Sequence, residues 1–361
     1  MASETRHSVL DAEHRALGAR MTPFGGWEMP LQYQGVLEEH HRCRNDAVVF
    51  DVSHLGGVTV SGPGALAGLQ GLFTNDLTRI APGRAQYTHL LDEVDAHVLD
   101  DIIVWWRAED DFLVIPNAAN TGPALAAMRE AVPDGVVTDV TPTRAFLAVQ
   151  GPQARRRLED VLPAAADVGH FAVGVVPFAD AEVIVGGTGY TGEDGVELHV
   201  PDAVATDLWR ALLDAGVSPA GLGARDTLRL EMGYPLHGHE LGPGITPLQA
   251  GLGWVVAWEK GDFRGRVALE RERDRGVARR LRGIRTESRS VPRSGCTVLV
   301  DGKPAGEVVS GNFSPTLERG IGLAFLPPDV EPDTRVEVDI RGRAIPAVVV
   351  APPFIERPRE G

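Results

Sequence analysis

The chain has 361 residues, more than one hydrophobic core usually serves, so two or three domains are expected. A formal net charge of -15 leaves no overall basic footprint of the kind nucleic-acid binding needs, and favours a small-molecule or protein partner. Among 35 basic residues only Lys260 and Lys303 are lysine, and only Cys43 and Cys296 are cysteine, so Schiff-base chemistry has two candidates and a cysteine-based zinc or iron–sulfur site or a disulfide framework within the chain is excluded.

The start is polar and lacks the apolar core of a targeting segment. No stretch approaches the roughly 18 apolar residues of a membrane span, so the expected setting is the cytoplasm, without a membrane partner. Val9, Ala12, Ala16 and Leu17 recur at helical spacing, and Gly18 offers a stop. Residues 24–30, rich in glycine and ending on Pro30, read as a loop, and 36–45 as a second helix. From 57 to 140 the pattern is a compact α+β unit. Its strands fall at 58–60, 85–91, 98–105, 111–116 and 136–140, and its helices at 65–73 and 120–131, the latter capped by Asn or Thr.

A new section opens at 144–149 and contains a helix at 152–161. Strands follow near 172–178, 181–185 and 195–200, then helices at 202–215 and 221–232. Residues 262–282 are charge-dense, a linker plus helix. From about Gly283 short β-branched runs split by Gly, Pro and Asp predict an all-β module.

Gly187-Thr-Gly-Tyr-Thr-Gly192 satisfies G-x-G-x-x-G, but a dinucleotide site needs a helix to open at the last glycine. Here residues 195–200 alternate like a strand, so the unit is strand–turn–strand and nucleotide binding by this route is rejected. As a turn, its glycines let backbone and ligand approach closely. Glu197 follows on a strand, where a rigid carboxylate can pair two-point with an N–C–N edge such as that of a pterin. By spacing alone, a solvent-facing strand position is the better reading of Glu197.

The motifs then become specific. They are Gly25-Gly-Trp-Glu-Met-Pro30, Phe50-Asp-Val-Ser-His54, Gly83-Arg-Ala-Gln-Tyr87, Leu99-Asp-Asp-Ile-Ile-Val104, Asn117-Ala-Ala-Asn120, Thr188-Gly-Tyr-Thr-Gly-Glu-Asp-Gly195 and Gly221-Leu-Gly-Ala-Arg-Asp-Thr227, among others in the same order. Through them the chain resembles, from about residue 9 to 355, the T-protein (aminomethyltransferase) family of the glycine cleavage system. The resemblance implies an α+β, three-domain cloverleaf with a ferredoxin-like inserted domain and a C-terminal β-barrel or jelly-roll-like domain. The matching division is a folate-binding first domain at 1–54 and 144–255, an insertion at 55–143, a linker and helix at 256–282, and a β domain at 283–361.

It also implies the reaction: transfer of the methylene of an aminomethyl group on the lipoyl arm of H-protein to tetrahydrofolate, with release of ammonia. Tetrahydrofolate is then a co-substrate and lipoylated H-protein the partner; no metal and no pyridoxal phosphate are needed. The catalytic aspartate maps to Asp101. Spacing alone leaves Asp100 and Asp101 equal, although a strand aims neighbours at opposite faces, so only one should reach the site. The pterin-edge carboxylate maps to Glu197 and a folate-site arginine to Arg225. Tyr87 and Tyr190 fall on cavity-lining positions and Asn117 on a site asparagine, with a turn or cap role as its alternative. His54 is expected to hydrogen-bond at a domain junction, and His237-Gly-His239-Glu240 to be a superficial likeness to a metal cluster.

Departures from the family pattern are Leu55, Ala96-His97 in place of a glycine pair, one extra residue between Tyr87 and Asp101, and Gly187 in place of an arginine. A tetrahydrofolate-dependent demethylase or one-carbon transferase acting on a small methylated substrate is the alternative. A non-catalytic folate-binding assembly or repair protein is a third, against which the retained Asp101 argues. H-proteins are usually acidic, so docking needs a local basic face. The run Arg279, Arg280, Arg282, Arg285, Arg289 and Arg293 offers one, and a solvated surface is the plain alternative.

Overall fold

The structure, a computed structural model, describes residues 5–356. These fall into two compact units. The first holds the described residues up to Leu90, Asp100–Arg225 and Ala257–Arg264; the second holds Leu91–Leu99, Asp226–Val256 and the described residues from Gly265 onward.

The centre of the first unit is a six-stranded sheet in the order Val173–Phe178, Ala181–Gly186, Gly195–Pro201, Arg144–Gln150, Val48–Asp51, Ser218–Ala220. All neighbours are antiparallel except the last pair. The strand period of two sorts the side chains. Val196, Leu198 and Val200 join Leu147, Val149 and Val185 in a core closed by Leu208, Trp209 and Leu212 of the helix Asp202–Asp214. Glu197 and His199, on the alternate positions, are thereby turned to the other face. The strand–turn–strand reading of residues 181–201 holds: Gly186 pairs with Glu197 and Val185 with Leu198, antiparallel.

A five-stranded sheet runs Arg84–Leu91, Val98–Ala108, Asp111–Ile115, Val58–Ser61, Val136–Asp139, with helices Ala65–Leu72 and Thr121–Ala131. Lys260 donates to the carbonyls of Gln70, Phe73 and Asn75 at 2.6, 2.5 and 2.7 Å, so its ammonium ends the first of these helices rather than serving as a nucleophile. A three-stranded sheet joins Arg6–His7, Trp27–Gln32 and Arg20–Phe24.

Three local expectations are corrected. Residues 24–30 are not a loop but the tip and second strand of a hairpin; Gly25 and Gly26 both take positive φ, 57° and 84°, as a two-residue turn of the twist-matching kind requires. The helix Asp11–Ala16 exists, but Val9 and Leu17 of its expected apolar stripe are 43% and 44% exposed, while Leu10 and His14 are buried. So short a helix does not fix a face by periodicity, and polar partners decide it: His14 Nε2 lies 2.8 Å from Asp51 and Nδ1 2.9 Å from Tyr33 Oη. The helix Thr121–Ala131 has no side-chain cap bond from Asn120; the Asn120 amide goes to Asp100 instead.

In the second unit the all-β module closes into a six-stranded barrel, Arg280–Thr286, Arg319–Leu326, Lys303–Ser314, Thr297–Val300, Arg335–Asp339, Ala344–Val350 and back to the first. Closure leaves no sheet edge, and Ile284, Val298, Val308, Ala324, Val338 and Val349 fill the interior.

Candidate active site

On the strand Val98–Ala108 the adjacent carboxylates separate as a strand requires. Asp100 is 0% exposed and Asp101 is partly exposed. Asp100 Oδ1 accepts from Asn117 Nδ2 at 2.8 Å and Asn120 Nδ2 at 2.7 Å, and its Oδ2 accepts from the Asn117 backbone at 3.1 Å. Despite these donors, burial and then the charge of Asp101 push its carboxyl up to about 8. Asp101 is held from two sides: Oδ1 accepts from Asn117 Nδ2 at 2.8 Å, and Oδ2 from Tyr87 Oη at 3.1 Å. Asn117 is therefore no helix cap; it makes no cap bond and its amide bridges the two aspartates. Tyr87 stays a phenol, because burial and then Asp101 raise its pKa well above the ordinary value.

Glu197 is 6% exposed, which overturns the solvent-facing possibility. Its Oε2 accepts from Thr188 Oγ1 at 2.5 Å. Burial raises its pKa, opposed by the Arg225 charge and the Thr188 bond. Arg225 is buried, its pKa lowered by desolvation and supported by Glu197. Its guanidinium lies 4.7 Å over the Tyr190 ring, and its Nη1 is buried without a hydrogen-bond partner. Tyr190 in turn acts electrostatically on Tyr87. The six residues expected at the site thus form one linked series, Asn117–Asp101–Tyr87–Tyr190–Arg225–Glu197.

The turn between the two strands is tied down by residues that were not anticipated. Arg44 Nη1 donates to Thr191 O and to Glu193, both at 2.8 Å. Arg155 Nε donates to Asp194 at 2.7 Å, and its Nη1 donates to the carbonyls of Ala166 and Val168 at 2.8 and 2.7 Å. Gln150 accepts from Thr191 Oγ1 at 2.8 Å and donates to Thr188 O at 3.3 Å. A Cβ at Gly189 would lie 2.0 Å from Gln150 Oε1, so any side chain there would displace the Gln150 amide that ties the turn. At Gly187 the obstacle is backbone: a Cβ would lie 1.9 Å from the Gly169 carbonyl oxygen. The departure at this position is therefore a close backbone approach that leaves no room for an arginine side chain. A second departure, Ala96, adopts φ 59° in the turn between Leu91 and Val98, the left-handed conformation that a glycine takes most easily.

His54 does not take the expected hydrogen-bonding role at Nδ1, which is buried without a partner; its ring packs edge-on to Phe24, centroids 5.1 Å apart. Burial and then the Arg225 cation push it down to about 3, so it is neutral. His237, His239 and Glu240 are engaged separately: with Val98 O at 3.4 Å, Val309 O at 2.8 Å and Arg229 at 3.1 Å. Among the described residues, the groups close enough to share an ion are His7, Asp11 and Glu28, and Asp92, Asp95 and His97, neither at the carboxylate pair.

The chain is similar to known proteins over nearly its whole length. The family model described as the GCVT N-terminal domain matches residues 10–260, and that of the glycine cleavage T-protein C-terminal barrel domain matches residues 279–356. The chain is 47% identical to the aminomethyltransferase of Mycobacterium avium (strain 104) over 97% of this chain and 96% of that one. It is 48% identical to that of Parafrankia sp. (strain EAN1pec) over 98% of each. Its fold matches the crystal structure of glycine cleavage system aminomethyltransferase T from Bartonella henselae with a TM-score of 0.90 and 33% identity, covering 97% of this chain and 98% of that one.

Proposed function

The chain belongs to the glycine cleavage T-protein family, as an aminomethyltransferase and folate-dependent one-carbon transferase, and from that premise we propose which residues carry the reaction. The alternative of a demethylase for small methylated substrates is not favoured. Asp101 is the catalytic carboxylate. The observation that carries this reading is its double tether: it is partly exposed, yet each carboxylate oxygen is fixed by a separate donor, Tyr87 and Asn117. The aminomethyl group loses ammonia and its carbon becomes cationic as N5 of tetrahydrofolate attacks and gives up a proton. An anion that is already aimed stabilises that charge without reorganising, and can accept the proton.

Tetrahydrofolate is the acceptor, and the buried pair of Glu197 and Arg225 suits it. A carboxylate acceptor beside a guanidinium whose Nη1 is unused matches an N–C–N edge with an adjacent carbonyl. Tyr190 and Tyr87 offer the aromatic contacts. Lipoylated H-protein is the donor's carrier, and the working compartment is the cytoplasm. Among the described residues no helix is long and apolar enough to cross a membrane. In the arginine run, Arg279 is held by Gln249 and Gly244 O, and Arg282 by Val330 O and Glu331, whereas Arg280 and Arg293 are exposed. Those two are the better choice for charge reversal. The three-domain division at 54/55, 143/144, 255/256 and 282/283, with residues 256–282 as a linker and helix, belongs to the same proposal.

The test is direct. The purified protein is mixed with tetrahydrofolate and aminomethyl-loaded H-protein, and ammonia and methylene-tetrahydrofolate are measured. Stoichiometric formation of both is expected; bound folate without turnover would sink the assignment. Arg280→Glu with Arg293→Glu should raise the KM for H-protein at low salt only, and an unchanged KM would return the run to a solvated surface.

A further inference from the structure

We infer that His89 is a positioning residue for the reaction: its Nε2–H donates to Tyr87 Oη and so commits the single phenolic proton to Asp101. The inference rests on the assignment of Asp101 above. Tyr87 and His89 are two apart on the strand Arg84–Leu91 and so share a face. His89 Nε2 lies 3.2 Å from Tyr87 Oη, and that oxygen lies 3.1 Å from Asp101 Oδ2. The rings meet edge to face, with centroids 5.2 Å apart at 84°.

A phenol has one proton to give, and both Asp101 and His89 lie within reach of it. A carboxylate is the stronger acceptor, because the bond is charge-assisted. With the proton on the Asp101 side, Tyr87 Oη must accept from the imidazole, which places the ring hydrogen on Nε2. The rest of the environment agrees. His89 Nδ1 is buried with no partner, as suits a nitrogen that carries no proton. Burial alone pushes the imidazole down to about 3, so the ring stays neutral, with one N–H to give, at any working pH. Burial is the cause of that shift, whereas the charges of Asp101 and Asp100 bear on the phenol.

Three polar groups at 0% exposure on this patch would be costly without partners; Thr88 Oγ1 accepts from the Asn75 backbone, and His89 has Tyr87 as a side-chain partner. Thr74, Thr88 and His89 are those groups. A donor behind a donor polarises the chain and strengthens the terminal bond. The carboxylate is then held ionised and aimed by Tyr87 on one oxygen and Asn117 on the other.

The experiment is steady-state kinetics of the full-length protein with tetrahydrofolate and loaded H-protein, for His89→Leu, His89→Gln, Tyr87→Phe and the double variant His89→Leu with Tyr87→Phe. His89→Leu should lower kcat about tenfold, the size of one lost hydrogen bond to a charged system, with the KM for tetrahydrofolate unchanged within about twofold. The acid limb of its kcat profile should move to higher pH, because a less well held carboxylate protonates sooner. His89→Gln, whose amide nitrogen falls near the Nε2 position, should restore most of the rate. The double variant should be no slower than Tyr87→Phe, since the imidazole acts only through the phenol. A His89→Leu kcat within about twofold of the parent, or losses that multiply in the double variant, overturns the proposal. If His89→Leu does not fold, His89→Asn replaces it, its amide being too short to reach Oη; full activity in that variant overturns the proposal equally. Asp101→Asn separates the two claims. Full turnover there ends the reading of the site, whereas loss of turnover with an indifferent His89 ends only the relay.

Discussion

The two ends of the site are built in opposite ways. Around Asp101 the protein supplies donors to both carboxylate oxygens and a neutral, donor-rich surround: Asn117, Tyr87, and Asn120 on the neighbouring Asp100. Around Glu197 and Arg225 it leaves capacity unused, since Arg225 Nη1 is buried with no protein partner. A group that must meet charge as it forms is pre-aimed, because reorganisation at that moment adds to the barrier. A group that must recognise a ligand keeps its hydrogen bonds open, because a satisfied donor has nothing to offer.

The sharpest way to break that contrast is to exchange the effects of the two ends. Asp101→Asn should lower kcat by about a thousandfold while the tetrahydrofolate Kd stays within about threefold, read by single turnover and equilibrium binding. Comparable loss of binding would mean that Asp101 recognises rather than reacts. Glu197→Gln should weaken tetrahydrofolate binding by about thirtyfold, the range for a bond to a charged group, with a smaller fall in saturated turnover. Unchanged affinity would remove Glu197 from the recognition end.

A smaller effect lies in how stability follows pH. His54, His89 and His199 are each buried and held neutral, with pKa values pushed down to about 3. Between about pH 6.5 and 3 the unfolded chain binds protons that the folded chain does not, so stability falls as pH falls through that window, by up to about 1.4 kcal/mol per pH unit for each histidine. Thermal melts from pH 7 to 5 should show the decline, and His89→Gln should make it shallower. Asp100 works the other way. Its carboxyl is raised to about 8, so between about pH 4 and 8 the folded chain keeps a proton that the unfolded chain has released, and this group's contribution falls as pH rises. Asn does not titrate, so Asp100→Asn should gain on the parent in Tm between pH 5 and 8. A constant Tm difference would show that Asp100 is ionised in the fold at both pH values.

Legibility differed with the range of the forces involved. The strand Val98–Ala108 showed in its Ile and Val, but the choice between Asp100 and Asp101 as the proposed catalytic carboxylate required the family resemblance, because strand alternation says that one faces the site without saying which. His89 escaped notice because one polar residue between Thr88 and Leu90 carries no pattern. Its unusual feature, a histidine at a fully buried strand position, exists only once the sheet is covered. Arg44 and Arg155 escaped for the same reason, since each lies about 40 residues or more from the turn it holds, a distance along the chain that local propensity does not span.

By itself the sequence determined the element types over most of the chain, the closed β module as an all-β region, and the rejection of a dinucleotide turn at Gly187–Gly192. These rest on periods of 2 and 3.6 and on local backbone demands, which act within a few residues. Only the tertiary structure decided which face of the helix Asp11–Ala16 is buried, that residues 24–30 turn back as a hairpin, that Gly187 leaves no room for a side chain, and where each polar group finds its partner. Those outcomes depend on contacts between segments distant in sequence, where burial makes each unmatched donor or acceptor costly enough to choose the arrangement.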